Sequence, residues 1–421
     1  MEHAISLPTA NSEAESNPDA YRSAQERDIL TRLEQVDLTA LSSLASRLRS
    51  GVSCIIPALV RDGQGHLDVK AAQSQTGGQN CNIDIQFEDG IVWLARIRLT
   101  DALLPPRPTQ AFIFQSKVCT LKYLENTLVP APKLIHFANE STENPVGVPF
   151  ILMEKLEGSP LTWDTTTSIQ KTKVLEQLAD IFLALEEHHF HSTGSLGFEN
   201  GSKTVCGFAQ SQLFDFPDIP LGPFNDLASS LRAILAQQKR LIANGEDMIQ
   251  EVIALHNGAG FYLKHFDDKG DHILVDRDFN ITGIIDWEFA SLEPKALAFS
   301  SPCFLWPVGD FYAGNNRLSS EEMEFAAIFE RRQRKDMAHL IRNGRKMQRY
   351  LFPVGGYPQE HEEFEAMFNG LHAAWTEDKS QLVPYQIWKD KALKRYAGDA
   401  QLLRLLRAEQ LLNSTVNSSL E

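Results

Sequence analysis

The 421-residue sequence contains no apolar run approaching the roughly 18 residues that a membrane-crossing helix needs. It lacks a cysteine framework: Cys54, Cys81, Cys119, Cys206 and Cys303 are scattered, odd in number and never spaced Cys-x-x-Cys. That distribution argues for reduced, buried thiols rather than a disulfide scaffold. It is also short of positive charge, with 40 Lys and Arg against 55 Asp and Glu, a net charge of −15. Such a chain lacks the basic face of a general nucleic-acid binder, although binding one nucleotide needs only a local patch. The opening residues, MEHAISLPTANSEAESNPDA, have neither the apolar core of a signal peptide nor the arginines of a transit peptide. No internal repeat is visible. These absences predict a cytoplasmic protein with neither a membrane nor a nucleic acid as partner, and leave the oligomeric state open.

What is present is ordinary globular composition, 43% apolar and 23% charged. The length predicts two to three domains or lobes. Residues 1–24 are rich in Ser, Asn, Glu and Pro and read as a disordered tail. Ile29, Leu30, Leu33, Val36, Leu38, Leu41, Leu44, Ala45 and Leu48 then recur at helical spacing, which predicts one or two amphipathic helices. From about residue 66 the period changes to two. HLDVKAA and NIDIQFEDGIVWLARIRL alternate apolar and polar residues, and Glu88-Asp89-Gly90 joins the last two runs as a hairpin. A helix is predicted over about 110–126, then strands at KLIHFAN and VPFILMEKL. After Gly158 the pattern is mainly helical, interrupted by ILVD and ITGIIDW. The expectation is an α+β, two-lobe chain: residues 25–157 form N-terminal helices and a small lobe with an antiparallel sheet, and residues 158–421 form a larger, mainly helical lobe.

Within the second lobe, residues 261–290 (FYLKHFDDKGDHILVDRDFNITGIIDWEFA) read as strand, polar loop, strand, turn, strand. A hairpin flanked by acids at both ends can bring carboxylates together although Asp267 and Asp286 are 19 positions apart. Phosphoryl transfer needs such a set: a base to orient the attacking hydroxyl and metal ligands to hold a triphosphate. The kinase template is His-x-Asp, four residues, Asn, then a second Asp. His265, Phe266 and Asp267 fit it, His272 stands where Asn is expected, and Asp286 follows the apolar run Ile281–Ile285.

On these residues the sequence resembles the aminoglycoside phosphotransferase and choline kinase superfamily, most of all its fungal branch, over about residues 50–300. The resemblance implies a protein-kinase-like fold and an ATP-dependent phosphotransferase acting on a small-molecule hydroxyl, with Mg²⁺, or Mn²⁺, as the metal. It implies Asp267 as catalytic base, Asp286 as metal ligand and His265 as a structural residue of the catalytic loop. It implies a nucleotide loop at Gly77-Gly78, which a plain hairpin turn explains as well. Arg96 takes the place of the strand lysine that binds phosphate; an ordinary solvent-facing arginine is the alternative. Met153, Glu154 and Leu156 fall at the hinge whose backbone would hold adenine.

Three departures stand out. His272 is a poorer Mg²⁺ ligand than Asn and suits Mn²⁺ better, so Asp268 or Asp271 is a substitute oxygen donor. Arg96 replaces Lys but can still bind phosphate. The helix that should offer Arg96 a glutamate offers Lys117, a second cation expected to repel it. The alternative reading is a degenerate, nucleotide-binding pseudokinase or interaction protein. Glu154, Glu157, Glu288 and Glu293 are candidates for a cationic substrate. His188, His189 and His191 read as a helix C-terminus rather than a metal site, and the basic run 330–349 reads as a solvated helix face.

Overall fold

The computed structural model describes residues 26–27, 29–61, 67, 80–99, 107–199, 201–210, 214–215, 219–237, 260–355, 361–376, 382–395 and 397–398. The predicted disordered tail and Gly77-Gly78 lie outside these residues, as does HLDVKAA apart from Leu67.

The chain divides into two compact units, residues 1–230 with 258–304, and residues 231–257 with 305–421. In the first unit, residues 29–34 and Leu38–Leu48 (α1) are helical. The strands are Cys54–Ile55 (β1), Asn80–Phe87 (β2), Val92–Arg98 (β3), Leu134–Ala138 (β4) and Phe150–Glu154 (β5). They form one antiparallel sheet in the order β1-β2-β3-β5-β4, with helix Arg107–Leu124 (α2) in the β3–β4 connection. That order and that helix position make this an α+β, protein-kinase-like fold.

Period-two patterning gives the sheet two unlike faces. Cys81, Ile83, Ile85 and Phe87 of β2 join Trp93, Ala95 and Ile97 of β3 in a core that also holds Ile29, Leu33, Leu41 and Ala45 of the N-terminal helices. On the opposite face the register sets Asn80 against Arg98 and Asn82 against Arg96. The sheet is therefore apolar beneath the helices and polar on its other side.

Beyond β5 come Ser159–Pro160 (β6), helix Ser168–Glu186 (α3), His189–Phe190 (β7), Ser195–Glu199 (β8), Ser202–Cys206 (β9) and the short pair Phe214–Asp215 (β10) and Ile219–Pro220 (β11). Phe261–Lys264 (β12), Ile273–Val275 (β13), Ile281–Ile284 (β14) and Ser291–Pro294 (β15) follow. They build two small sheets, β15-β12-β7 and β14-β13-β6. Loop 265–272 thus leaves one sheet and enters the other, with both ends fixed. His189 lies in β7, opposite Tyr262, and among the described residues no group of three or more His, Cys, Asp or Glu is arranged to hold a metal ion. No helix among the described residues is long and apolar enough to cross a membrane.

The second unit is helical, with elements at Val308–Tyr312, Ser320–Arg331, Lys335–Arg342, Arg345–Gly355, His361–Trp375 and Tyr385–Arg395. Here the basic run departs from the expected solvated face, because Arg345 and Arg349 are buried. The Arg345 guanidinium donates to Glu322 at 2.7 Å and sits 5.2 Å from the Trp306 ring centre. Arg349 lies 3.6 Å over Phe311. A planar, weakly hydrated guanidinium can be buried in this way where an ammonium would not be.

Candidate active site

Asp267 follows β12 by three residues and is partly exposed, its carboxylate 3.1 Å from Lys269 Nζ. Its neighbour Asp268 faces another way. Asp268 Oδ1 accepts from the Cys303 N–H at 3.0 Å, Oδ2 accepts from Lys264 at 3.2 Å, and the Asp268 carbonyl accepts from the Phe304 N–H at 3.1 Å. Asp268 is therefore committed to anchoring the loop on residues 303–304.

His265 lies under the loop, buried, and its Nε2 donates to the Ile285 carbonyl at 2.9 Å. That carbonyl belongs to the residue before Asp286. His272 stacks on the His265 ring with centroids 4.3 Å apart, and its Nδ1 accepts from the Gly270 N–H at 3.3 Å. Trp287 closes the stack edge-on to His265, at 4.9 Å. Burial, then the neighbouring His265, Lys264 and Lys269, push the His272 imidazole down to about 2, so it stays neutral. Its main-chain carbonyl accepts from the Ile285 N–H at 2.9 Å, another tie between the loop and the strand leading to Asp286.

Asp286 has φ +63°, in the left-handed region that Asp tolerates better than most residues. The backbone turns there, out of β14, toward the polar face of the large sheet. Arg96 Nη2 donates to Asp286 Oδ1 at 2.6 Å and to Glu288 Oε2 at 3.1 Å. Arg98 Nη1 donates to Glu288 Oε1, Asn80 Nδ2 to Oε2 at 2.9 Å, and Lys117 Nζ to Oε2 at 3.3 Å. Lys117 Nζ also lies 4.0 Å from Asp286 Oδ1.

The expected repulsion between Lys117 and Arg96 is thus resolved by Glu288, which both cations contact. Glu288 is committed to these contacts, and Glu293 accepts from the Ser291 hydroxyl at 2.6 Å; neither presents a free carboxylate to a cationic substrate. Burial would raise the Glu288 carboxyl, but Lys117, Arg96 and Arg98 outweigh it and hold it below its usual range. Burial would raise Asp286 as well, and Arg96 and then Lys117 bring it down. Burial and then Arg96 lower the Lys117 ammonium to about 8, with Glu288 and Asp286 opposing. Arg96 is held charged by Asp286 and Glu288 against its burial.

Met153 and Glu154 end β5, with Met153 buried and the Glu154 N–H bonded to the Lys133 carbonyl at 3.0 Å. Leu156 packs on Gly283 of β14, where an added Cβ would collide with Leu156 Cδ1. Gly158, at φ +115°, then lets the chain join β13 as β6 where an added Cβ would come 2.9 Å from the Val275 carbonyl oxygen. The strand end is in this way docked onto the hairpin that leads to Asp286.

Several of these contacts escaped the sequence. The Lys117–Glu288 pair bridges 171 positions, and no local period marks it. The one available signal was the acid two residues beyond Asp286.

Residues 105–297 match the model of the family described as "Phosphotransferase enzyme family". Clavilactone A biosynthesis cluster protein Y of Ampulloclitocybe clavipes is 25% identical over 216 residues, 46% of this chain and 53% of that protein. A subtelomeric hrmA-associated cluster protein of Aspergillus fumigatus is 31% identical over 128 residues, 30% of this chain and 24% of that protein. The chain thus spans about half the length of the first relative and a quarter of the second. Among solved structures, an ethanolamine kinase of Plasmodium vivax superposes with a TM-score of 0.39 at 13% identity, covering 73% of this chain and 82% of that one. A likeness so remote does not bear on activity. The matched stretch carries Lys117, the end of β5, the Asp267 loop and Asp286, so through residues 105–297 the chain is similar to the phosphotransferase enzyme family.

Proposed function

We propose that the protein is an ATP-dependent phosphotransferase that moves the γ-phosphoryl group to a hydroxyl of a small molecule in the cytoplasm. The observation that carries this reading is the double tie between the Asp267 loop and Asp286, through His265 to the Ile285 carbonyl and through the His272 carbonyl to the Ile285 N–H. Two carboxylates held to one frame, one beside a cluster of cations, match what phosphoryl transfer asks of a protein.

In this reading Asp267 orients the acceptor hydroxyl and takes its proton as the hydroxyl oxygen bonds to phosphorus and the bond to the departing diphosphate breaks. Arg96, whose buried Nε has no hydrogen-bond partner among the described residues, contacts the phosphates. Backbone groups at Met153, Glu154 and Leu156 hold adenine, and Gly77-Gly78 supplies the phosphate loop. Bound Mg²⁺, or Mn²⁺, would neutralise charge on the phosphates. Asp286 would hold it, and one carboxylate suffices for an ion that keeps several waters and takes phosphate oxygens. The His272 ring fits that role poorly, being stacked on His265 with Nδ1 engaged.

The test is transfer of labelled γ-phosphate to a library of hydroxylated metabolites. Asp267→Asn is expected to lower kcat by about 100-fold or more with KM for ATP little changed. Turnover untouched by this change would rule out Asp267 as base. The second reading, a nucleotide-binding protein without transfer, is favoured by His272 in place of an oxygen ligand; stabilisation by ATP and metal without any acceptor would support it.

A further inference from the structure

Three cations, Arg96, Arg98 and Lys117, surround two carboxylates, Asp286 and Glu288. Lys117 and Glu288 are each only 5% exposed, whereas the Asp286 side chain is 42% exposed. The cluster therefore holds cations withdrawn from water and opens to solvent at Asp286.

A simple role for Lys117 would be as counter-ion to Glu288. Glu288 does not need it for that. Two guanidiniums and the Asn80 amide already donate to this carboxylate. Lys117 instead adds a cation beside Arg96, and both approach the same atom, Asp286 Oδ1, at 4.0 and 2.6 Å.

We infer that Lys117 is a second phosphate-binding cation of the nucleotide site, reaching in from helix α2, and that Glu288 is the positioning residue that holds Lys117 and Arg96 side by side. Helix and strand then both present cations to the phosphate chain of a nucleoside triphosphate. The carboxylate that fixes them comes from the segment after Asp286 rather than from the helix. This inference rests on the nucleotide reading above.

The experiment is calorimetric titration of the full chain with ATP and, separately, with adenosine, in the presence of Mg²⁺. Lys117→Met is expected to weaken ATP by about tenfold or more, the loss of a charge-assisted contact, and to leave adenosine within about twofold. Lys117→Arg is expected to restore most of the ATP affinity, and Glu288→Gln to weaken ATP but not adenosine. The inference is overturned if Lys117→Met binds ATP as the wild type does, if it loses ATP and adenosine alike, or if the arginine variant binds no better than the methionine one. A wild-type protein that binds neither ligand would overturn the nucleotide reading itself, an outcome distinct from failure of the Lys117 assignment alone.

Discussion

His265 donates from Nε2 to the Ile285 carbonyl at 2.9 Å, and so ties the loop bearing Asp267 to the residue that precedes Asp286. The imidazole does not need to react for this to matter. Its Nδ1 is buried without a hydrogen-bond partner among the described residues, and burial lowers its proton affinity although the Ile285 bond opposes that. A neutral ring with its hydrogen on Nε2 is the form the contact requires.

Removing this tie should misalign the base without touching the cations. His265→Ala is expected to lower kcat by about 100-fold, the scale of an ångström-sized misplacement, while KM for ATP stays near the wild-type value. Steady-state kinetics in both substrates would show it. A raised KM with an unchanged kcat would mean that the ring supports nucleotide binding and not the alignment of Asp267.

Glu293 gives the molecule a pH dependence. It stands opposite Tyr262 in the β12–β15 pair, and burial pushes its carboxyl from 4.5 up to about 7, against the Ser291 hydrogen bond and Lys264. Below about pH 4.5 folded and unfolded chains both hold the proton. Between 4.5 and 7 the unfolded chain releases it and the folded chain keeps it, so stability falls as pH rises, and the loss is complete above about 7. Allowing for partial exposure, the loss is on the order of 2 kcal/mol. Glu293→Gln should remove it, so the variant gains melting temperature on the wild type between pH 5 and 7.5. Parallel melting curves for the two proteins would show that Glu293 does not carry the effect.

The legible parts of this molecule were local. The alternation in NIDIQF and VWLARI announced β2 and β3 because one face of each packs on helices. The His265–Asp267 and Asp286 motifs could be read because a hairpin keeps their spacing short. The ion cluster could not be read that way. Lys117 reads as a defect because the carboxylate partner of Arg96 is expected on α2, whereas it arrives from Glu288, 171 positions from Lys117. Arg345 and Arg349 looked solvated because a run of basic residues says nothing of the aromatic rings that another segment lays against them. Both misreadings concern charges whose partners are set by tertiary structure, where local pattern carries no information.

Arg349 tests that second point. Its guanidinium lies 3.6 Å over the Phe311 ring, Nε donates to Asn316 Oδ1 at 2.8 Å, and Nη2 donates to the Asn315 carbonyl at 2.9 Å. Burial and then Arg345 lower its proton affinity to about 10, so it remains charged at neutral pH. The side chain thus pins the segment after Val308–Tyr312 to helix Arg345–Gly355 through a planar stack and two directed bonds. Lysine keeps the charge but has neither the plane nor the fork. Arg349→Lys is therefore expected to destabilise the helical unit by about 2 kcal/mol, the scale of lost hydrogen bonds to a charged group. Hydrogen exchange should rise in residues 308–312 and 345–350 and stay unchanged in β2 and β3. Equal protection in the wild type and the variant would show that positive charge alone, and not the guanidinium, holds this segment.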